Sequence, residues 1–460
     1  MLMLSDIAKA VNGQLLGSDV RCESVGSDSR NMIKNQLFVA IKGEHFDGNT
    51  YAVNAIQQGA AAALVSDANT QARPAVLVAD TRLALGQLAS YWRTQFILPL
   101  VAVTGSNGKT TVKEMLTAIL NVANKNVLDT QGNLNNDIGM PMTLLKLRKQ
   151  HAYAVIEMGM SHEGEIRYLS NIAQPDVAVV NNAGIAHIGE VGSREGIARA
   201  KGEIFEGLSS NGIAVINADD AFADYWQSLN ANRKIITFAL NAKADVTASY
   251  EEMANVSKIT MTMPAGSIQF KLHVLGKHNV SNALAASACA FALGISNADI
   301  ARGLESFAAV KGRLQRKAGF NGASLIDDTY NANPDSMKAA IDVLASQAGK
   351  QIFVMGDMAE LGLDSGQMHA EIGLYAKQKG IAQLLAFGEF SQQACQMFGE
   401  NAQHFTSLDV LVLRLKNSMQ ANTTVLVKGS RFMQMERVVN AIEVKAATNK
   451  AVSKELMEEK

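Results

Sequence analysis

Residues 99–120 read PLVAVTGSNGKTTVKEMLTAIL, and the whole chain is organised around them. Leu100 to Val103 is a short apolar run with two β-branched residues, the composition of a strand buried on both faces. Thr104 to Lys109 supplies two glycines and small polar side chains. From Thr110 the spacing turns helical, with Val112, Met115, Leu116 and Leu120 on one side. Strand, glycine loop and helix together aim backbone N–H groups and a helix N-terminus at one spot. That spot favours a phosphate, because the donors are otherwise unpaired and the helix dipole adds partial positive charge. Lys109 is placed to reach the β- and γ-phosphates, and the Thr110 hydroxyl to ligate the accompanying magnesium. The usual phosphate loop has a glycine five residues before its Gly-Lys pair; here Val103 stands there, and the nearest earlier glycine is Gly105. A plain glycine turn is the blander reading. Gly-Lys-Thr-Thr at a strand-to-helix joint favours an ATP site.

The chain has 460 residues, which is too long for one core and implies two or three domains. Hydrophobic content of 48% with 18% charged residues is ordinary for a folded soluble protein. A net charge of −1 gives no long-range attraction for nucleic acid or an anionic membrane. Cys22, Cys289 and Cys395 lie far apart without a C-x-x-C pair, the pattern of reduced thiols rather than a disulfide frame or zinc site. The start MLMLSDIAKAVNG lacks a basic segment followed by a long apolar core, so no signal peptide is expected. No apolar run approaches membrane-spanning length. A cytoplasmic protein without membrane insertion is the expectation.

Residues 1–82 form a first unit. Ser5 to Val11 reads as a helix opened by a Ser cap, with strands expected at Leu37 to Ile41, Ala62 to Val65 and Ala75 to Val78. Two polar segments stand out, Ser27-Asp28-Ser29-Arg30 and Gly43-Glu44-His45-Phe46-Asp47-Gly48-Asn49. Turn chemistry alone accounts for either, although Phe46 beside Asp47 suits a ring with hydrogen-bonding edges.

Residues 83–312 form the nucleotide-binding unit, entered by a helix at Thr81 to Phe96. The segment Gln131 to Gly139, with Asn135 and Asn136, is rich in carboxamides. Ala152 to Ile156 reads as a buried strand with Glu157 at its carboxyl end, where open parallel sheets place ligands. A carboxylate there is a good second ligand for magnesium, and Gly159, Ser161 and His162 follow at once. Val177 to Val180 repeats the pattern, ending in Asn181-Asn182-Ala183-Gly184 and then His187, whose place past a strand end makes a metal or phosphate contact as plausible as an ordinary loop role. Ser193 to Leu208 reads as a helix in which Lys201 carries no role by pattern alone. Gly212 to Asn217 is one more strand. Near the end of the unit, Asn279 and Asn282 share a face at the start of an alanine-rich helix, Ala283 to Leu293. They serve either N-capping or adenine recognition.

Residues 313–460 form a third unit of alternating strand and helix. Strands are expected at Ser324 to Asp327, Ile352 to Met355, Gln383 to Ala386 and Thr424 to Val427, with helices at Ser336 to Gln347 and Gln367 to Lys379 and right-handed crossovers. Polar clusters fall at strand ends: Asp327 to Pro334 with Asn331, Asp357 to Gly362, and Lys428-Gly429-Ser430-Arg431. No G-x-G-x-x-G follows the first strand, which disfavours a dinucleotide site. Residues 446–460 read as a frayed helix or tail.

With these clusters placed, the chain resembles the Mur ligases, the ATP-dependent amino-acid and peptide-adding enzymes of bacterial cell-wall synthesis, from Ser27 to Arg431. The family's short loop T-G-x-N-G-K-T-T stands as Thr104 to Thr111, which accounts for the missing glycine. The segments Asn133 to Gly139, Asp327 to Pro334 and Asp357 to Gly362 look like those of the member that adds D-alanyl-D-alanine. The Asp-Asn-Pro-Arg motif of the sister adding the third residue is absent, as is the opening glycine motif of the sister adding the first.

The resemblance implies an α/β fold in three domains. These are a small α/β N-terminal domain, a central P-loop ATPase-like domain with a mostly parallel sheet and helices on both faces, and a C-terminal Rossmann-like α/β domain. It implies that Lys109, Glu157, His187 and Lys201 are catalytic. Lys201 would be carbamylated, and Thr110, Glu157, His187 and Lys201 would hold Mg2+, two ions in all. A carbamate makes sense there, since an ammonium beside magnesium is repelled whereas an anionic oxygen ligates it. ATP would lie on Gly105, Ser106, Asn107, Gly108, Lys109, Thr110 and Thr111, with Asn279 and Asn282 on the adenine side and Arg313, Asp327 and Asn331 near the hinge. Ser29, Arg30, Phe46 and Asp47 would hold the UDP end of the substrate, UDP-N-acetylmuramoyl-tripeptide. Asn135, Asn136, Ser161, Asp357, Lys428, Ser430 and Arg431 are the remaining substrate candidates, and His369 joins them for D-alanyl-D-alanine.

The implied chemistry passes the γ-phosphoryl group to the tripeptide carboxylate and lets the dipeptide amine attack the acyl phosphate. The third domain would hinge near Lys311-Gly312-Arg313 to keep that intermediate dry. A monomer is expected. A folate polyglutamate synthase is disfavoured by the roughly 80-residue first unit, a size able to form a small domain. A nucleic-acid motor is disfavoured by the neutral charge, and an inert nucleotide binder by the intact Lys109, Thr110, Glu157 and Lys201.

Overall fold

The computed structural model describes residues 1–123, 126–185, 188–253 and 256–444. Contacts divide the chain into two compact units. One comprises Met1–Glu251, Lys258–Leu272 and His278–Phe307; the other comprises Glu252–Ser257, His273–Lys277 and Ala308–Lys460.

The chain opens with β1 (Leu2–Met3), β2 (Gln14–Leu16), β3 (Arg21–Cys22), β4 (Ser24–Gly26), β5 (Gln36–Val39), β6 (Ala62–Val65) and β7 (Ala75–Leu77). β1 pairs with β3, and the rest form a five-stranded sheet in the order β2-β7-β6-β5-β4, parallel from β4 to β7 with β2 antiparallel at the edge. The first helix, Leu4–Ala10, starts at Met3 without a side-chain cap. Ser5 is no cap because its hydroxyl and N–H are both given to Asp19.

The central sheet contains β8 (Leu100–Thr104), β9 (Val127–Asp129), β10 (Tyr153–Glu157), β11 (Val177–Val180), β12 (Ile213–Asn217), β13 (Lys234–Ala239), β14 (Val246–Glu252), β15 (Ser257–Met263) and β16 (Gly266–Leu272). Its order is β16-β15-β14-β13-β12-β11-β8-β10-β9, and the ladder from β9 to β14 is parallel. Every residue of β8 is buried, as expected of a strand covered on both faces. From β8 the chain moves to the sheet edge at β9, returns to β10 beside β8, and then crosses to β11 on the other side. Strand order therefore reverses at β8. Its carboxyl end, between those of β10 and β11, opens the crevice where α/β sheets take ligands.

The four strands from β13 to β16 are absent from the sequence reading. β15 buries every second residue, from Ser257 through Ile259 and Met261 to Met263, so it offers alternation rather than an apolar run. The helix expected at Ser193 to Leu208 is two pieces, Arg194–Gly202 and a 3-10 turn Glu203–Gly207, with Ser193 as the N-cap. The alanine-rich helix begins earlier than expected, at Lys277. Asn279 and Asn282 are therefore inside it, and neither caps it.

The second unit contains β17 (Gln315–Ala318), β18 (Ser324–Asp328), β19 (Lys350–Gly356), β20 (Gln383–Phe387), β21 (Ala402–Phe405) and β22 (Thr423–Lys428). The order is β17-β18-β22-β19-β20-β21, parallel except for β17. Alternate residues face opposite layers. Ile326, Phe353, Met355, Leu384 and Leu426 pack with Met337, Ile341 and Ile372. Leu325, Ile352, Val354, Leu385 and Val427 pack with Leu411, Leu415 and Val438. Helices thus cover both faces. Residues 446–460 lie outside the described residues.

Among the described residues, no helix is long and apolar enough to cross a membrane. The three cysteines are unpaired thiols, and burial pushes Cys22 and Cys395 up to about 11.

Helix Asn297–Ser306 lies against the phosphate-loop helix Lys109–Val122, with Gly303 set directly on the Ile119 backbone. Gly303→Ala puts a methyl group into that backbone, which cannot yield. A loss of about 2 kcal/mol is expected, read as a lower urea midpoint for the wild-type-like transition.

Candidate active site

The loop after β8 is held by the ends of its neighbours. Ser106 N–H donates to the Asn182 carbonyl (3.0 Å) and Asn107 N–H to Asn182 Oδ1 (2.9 Å), while Ser106 Oγ donates to Gly184 O (3.0 Å). These two N–H groups thus fasten the loop, which turns phosphate binding toward the first turn of the Lys109–Val122 helix, where the helix dipole favours an anion. Lys109 Nζ donates to Gly105 O at 2.7 Å, so its ammonium lies over the loop. Gly108, at the N-cap, has φ 80°, the left-handed region that favours glycine. A side chain there would also meet Asn282 Oδ1 and Asn181 Nδ2.

These contacts belong to a chain of carboxamides. Asn181 Nδ2 donates to Asn107 O and to Asn282 Oδ1, both at 2.9 Å, and Asn282 Nδ2 faces Asn279 Oδ1 at 3.3 Å. Asn217, ending β12, donates to Asn181 O at 2.9 Å. Asn279 and Asn282 are buried, and Asn282 reaches the phosphate loop through Asn181 and the space left at Gly108. Asn181, Asn182 and Asn217 carry no role in the sequence reading. The signal that finds them is the one that singles out Glu157: a polar side chain at the carboxyl end of a buried strand.

On the other side of the loop, Thr110 Oγ1 donates to Glu157 Oε2 at 2.8 Å. Glu157 Oε1 accepts from Asn135 Nδ2 at 2.7 Å, and the Glu157 N–H donates to Thr130 Oγ1 at 2.9 Å. The carboxylate is 2% exposed. A buried hydroxyl and carboxylate facing each other are hard oxygen donors suited to magnesium. Lys201 is fully buried, and its side chain has no hydrogen-bond or ion-pair partner among the described residues. Burial first, and then the Lys109 charge, push its pKa well below the ordinary lysine value, favouring the uncharged amine. His187 lies outside the described residues. Among those described, no three His, Cys, Asp or Glu side chains come together as a metal cage.

Asn136 accepts from Gly139 N–H at 2.8 Å at the start of the next helix. Ser161 N–H donates to Glu165 Oε2 at 2.7 Å.

The first-domain candidates lie in loops leaving the adjacent parallel strands β4 and β5. Arg30 is paired with Asp28 beside Ser29. Phe46 is 56% exposed, and Asp47 accepts from Asn49 N–H at 2.9 Å.

In the second unit, Asp327 is buried between Lys317 Nζ (3.2 Å) and Thr329 Oγ1 (2.7 Å). The Arg313 guanidinium stacks over Tyr330 at 4.3 Å. Asn331 O accepts from Lys428 Nζ (2.9 Å), which also pairs with Asp328 (2.6 Å). Asp357 accepts from the N–H groups of Phe390 (3.1 Å) and Ser391 (2.8 Å). Ser430 Oγ accepts from Ala359 N–H (2.8 Å) and donates to Ala332 O (3.1 Å). Arg431 is exposed and pairs with Glu436 at 3.0 Å. The structure thus brings Asp357, Lys428 and Ser430 together as ties between strand-end loops. Of the three, Asp357 borders a cavity of about 420 Å³ at the carboxyl ends of β19 and β20, lined by Met358, Leu361, Phe387, Phe390, Phe432 and Met433.

Three family models match the chain: "Mur ligase family, catalytic domain" over residues 21–93, "Mur ligase middle domain" over 103–290, and "Mur ligase, glutamate ligase domain" over 312–431. The UDP-N-acetylmuramoyl-tripeptide–D-alanyl-D-alanine ligase of Escherichia coli K12 is 44% identical over 96% of this chain and 98% of its own length. A crystal structure of MurF from Acinetobacter baumannii superposes with a TM-score of 0.89 at 39% identity, covering 95% of this chain and 97% of that one. A structure of MurF ligase from Thermotoga maritima in complex with ADP has a TM-score of 0.82 at 28% identity, covering 91% and 96%.

Gly108→Ala tests the braced loop. The added methyl group both strains a left-handed residue and strikes Asn282, so ATP with magnesium should bind at least about tenfold more weakly in titration calorimetry.

Proposed function

This chain belongs to the Mur ligase family, and we propose that it joins the free amine of D-alanyl-D-alanine to the terminal carboxylate of UDP-N-acetylmuramoyl-tripeptide, driven by ATP. The product is the pentapeptide precursor of peptidoglycan, made in the cytoplasm. The observation that carries this reading is 44% identity over 96% of this chain to a ligase of that name, with Lys109, Thr110 and Glu157 where strand order reverses and Lys201 within reach of the Lys109 charge.

In the first step a tripeptide carboxylate oxygen attacks the γ-phosphorus, the bond to the β-phosphate oxygen breaks, and ADP leaves. Lys109 and the first turn of its helix hold the phosphates and offset their charge, which is most of what phosphoryl transfer requires of a protein. In the second step the dipeptide amine attacks the acyl carbonyl, loses a proton, and phosphate departs as the amide forms.

Thr110, Glu157, His187 and carbamylated Lys201 would hold magnesium, which neutralises phosphate charge and polarises the transferred group. The residues fit. Carbamylation requires an uncharged amine, and burial favours that form of Lys201; addition to carbon dioxide forms the C–N bond, releases a proton and supplies an anionic oxygen. Asn279 and Asn282 take the adenine side of the nucleotide, with Arg313, Asp327 and Asn331 as its further contacts. Ser29, Arg30, Phe46 and Asp47 take the UDP end, and the cavity beside Asp357 takes the dipeptide.

Phosphate release should require ATP, the UDP-muramoyl tripeptide and D-alanyl-D-alanine together. Release with folate and glutamate instead would sink the assignment. Lys201→Ala should lower turnover by roughly 10²–10³-fold, in line with losing one preorganised charge-stabilising group. Short carboxylic acids should restore part of it, and unchanged activity would refute the carbamate.

A further inference from the structure

The 357–365 loop forms one wall of the second unit's cavity, and beneath it lies His369, fully buried. Its Nε2 accepts the Met358 N–H at 2.9 Å, and its Nδ1 lies 2.6 Å from the Ser365 carbonyl. A carbonyl only accepts and an N–H only donates, so the ring is neutral with its proton on Nδ1. One side chain thereby ties the first residue after Asp357 to the start of helix Ser365–Gln378. The other face of the ring stacks on Phe390, with centroids 5.7 Å apart, and Phe390 lines the opposite wall of the cavity.

We infer that His369 is a positioning residue for the amine substrate: in its neutral form it fastens the 357–365 loop against the cavity, and protonation releases it. This rests on the reading of the cavity as the dipeptide site. An imidazolium has N–H groups at both nitrogens, so Met358 N–H loses its acceptor in a dry environment. The groups facing the ring are the Asp357 carboxylate at 3.8 Å, the Phe390 ring and the Ser365 carbonyl. Asp357 is the charged one among the described residues, and its oxygens already accept from Phe390 and Ser391. Burial pushes the histidine below its ordinary value, opposed in part by Ser365 and by Asp357. The fastened form therefore holds its full stability above about pH 6.5 and loses it as pH falls from there through the depressed value.

The experiment measures phosphate release from the full-length protein against D-alanyl-D-alanine at saturating ATP and acceptor, between about pH 5 and 8. The wild-type KM for the dipeptide should rise about tenfold on the acid side, with kcat and the KM for ATP moving less. In His369→Gln the side-chain carbonyl takes the place of Nε2 and does not titrate, so the acid rise should be lost. Protonation of the dipeptide amine is common to both proteins, so the difference between them isolates His369. His369→Phe, without an acceptor, should show a raised KM throughout.

Hydrogen exchange at the Met358–Gly362 amides of the ligand-free protein supplies a readout independent of activity. After correction for intrinsic rates, exchange should quicken in acid for the wild type alone. An identical acid rise in His369→Gln, or unaltered amide protection in His369→Phe, overturns the inference. No dipeptide-dependent release in the wild type sinks the substrate reading instead, and exchange then still decides whether the histidine fastens the loop.

Discussion

Gly108 has no side chain, and into the space this leaves come two carboxamides that close on the phosphate loop. Asn181 arrives from the end of β11 and Asn282 from a helix much later in the chain, and the two are joined by a 2.9 Å hydrogen bond. The reversal of strand order at β8 makes this possible, because it sets the ends of β10 and β11 on either side of one loop. The same reversal delivers Glu157 to Thr110 on one flank and the asparagines on the other. The loop's shape is thus imposed from outside by its neighbours, and its own N–H groups at Ser106 and Asn107 are part of that fastening.

What was legible in the sequence follows from which interactions are local. β8, β10 and β11 are continuous apolar runs because both of their faces are covered, and such runs announce themselves. Glu157 was legible because it ends one of them. β13 to β16 were not, since a strand such as β15 buries alternate residues and carries Lys258, Thr260 and Thr262 between them. Lys201 was invisible to pattern: a lysine on a helix of mean polar character reads as solvated, and only tertiary packing buries it. The family resemblance suggests the role proposed for it, and the structure supplies the dry surroundings that suit that proposal.

Residues marked as substrate contacts in the second unit divide by what their atoms already hold. Asp357, Lys428 and Ser430 are committed to backbone groups or to a carboxylate of neighbouring loops. Sequence shows that polar residues gather at strand ends, where a frame and a contact look alike. The exposed apolar rim, with Phe432 62% exposed, is the part of this edge still open to a ligand. It drew no attention because single exposed hydrophobic residues are ordinary.

The bond between Asn181 and Asn282 spans 101 residues of chain. A ribosome-bound chain that has emerged only through the end of β12 contains the phosphate loop with Asn181 and Asn182, yet lacks Asn282, the far half of the pair that closes on Gly108. The support behind Gly108 is therefore completed late in the synthesis of this unit, as a sign that the helix carrying Asn282 has docked rather than as a seed about which folding starts.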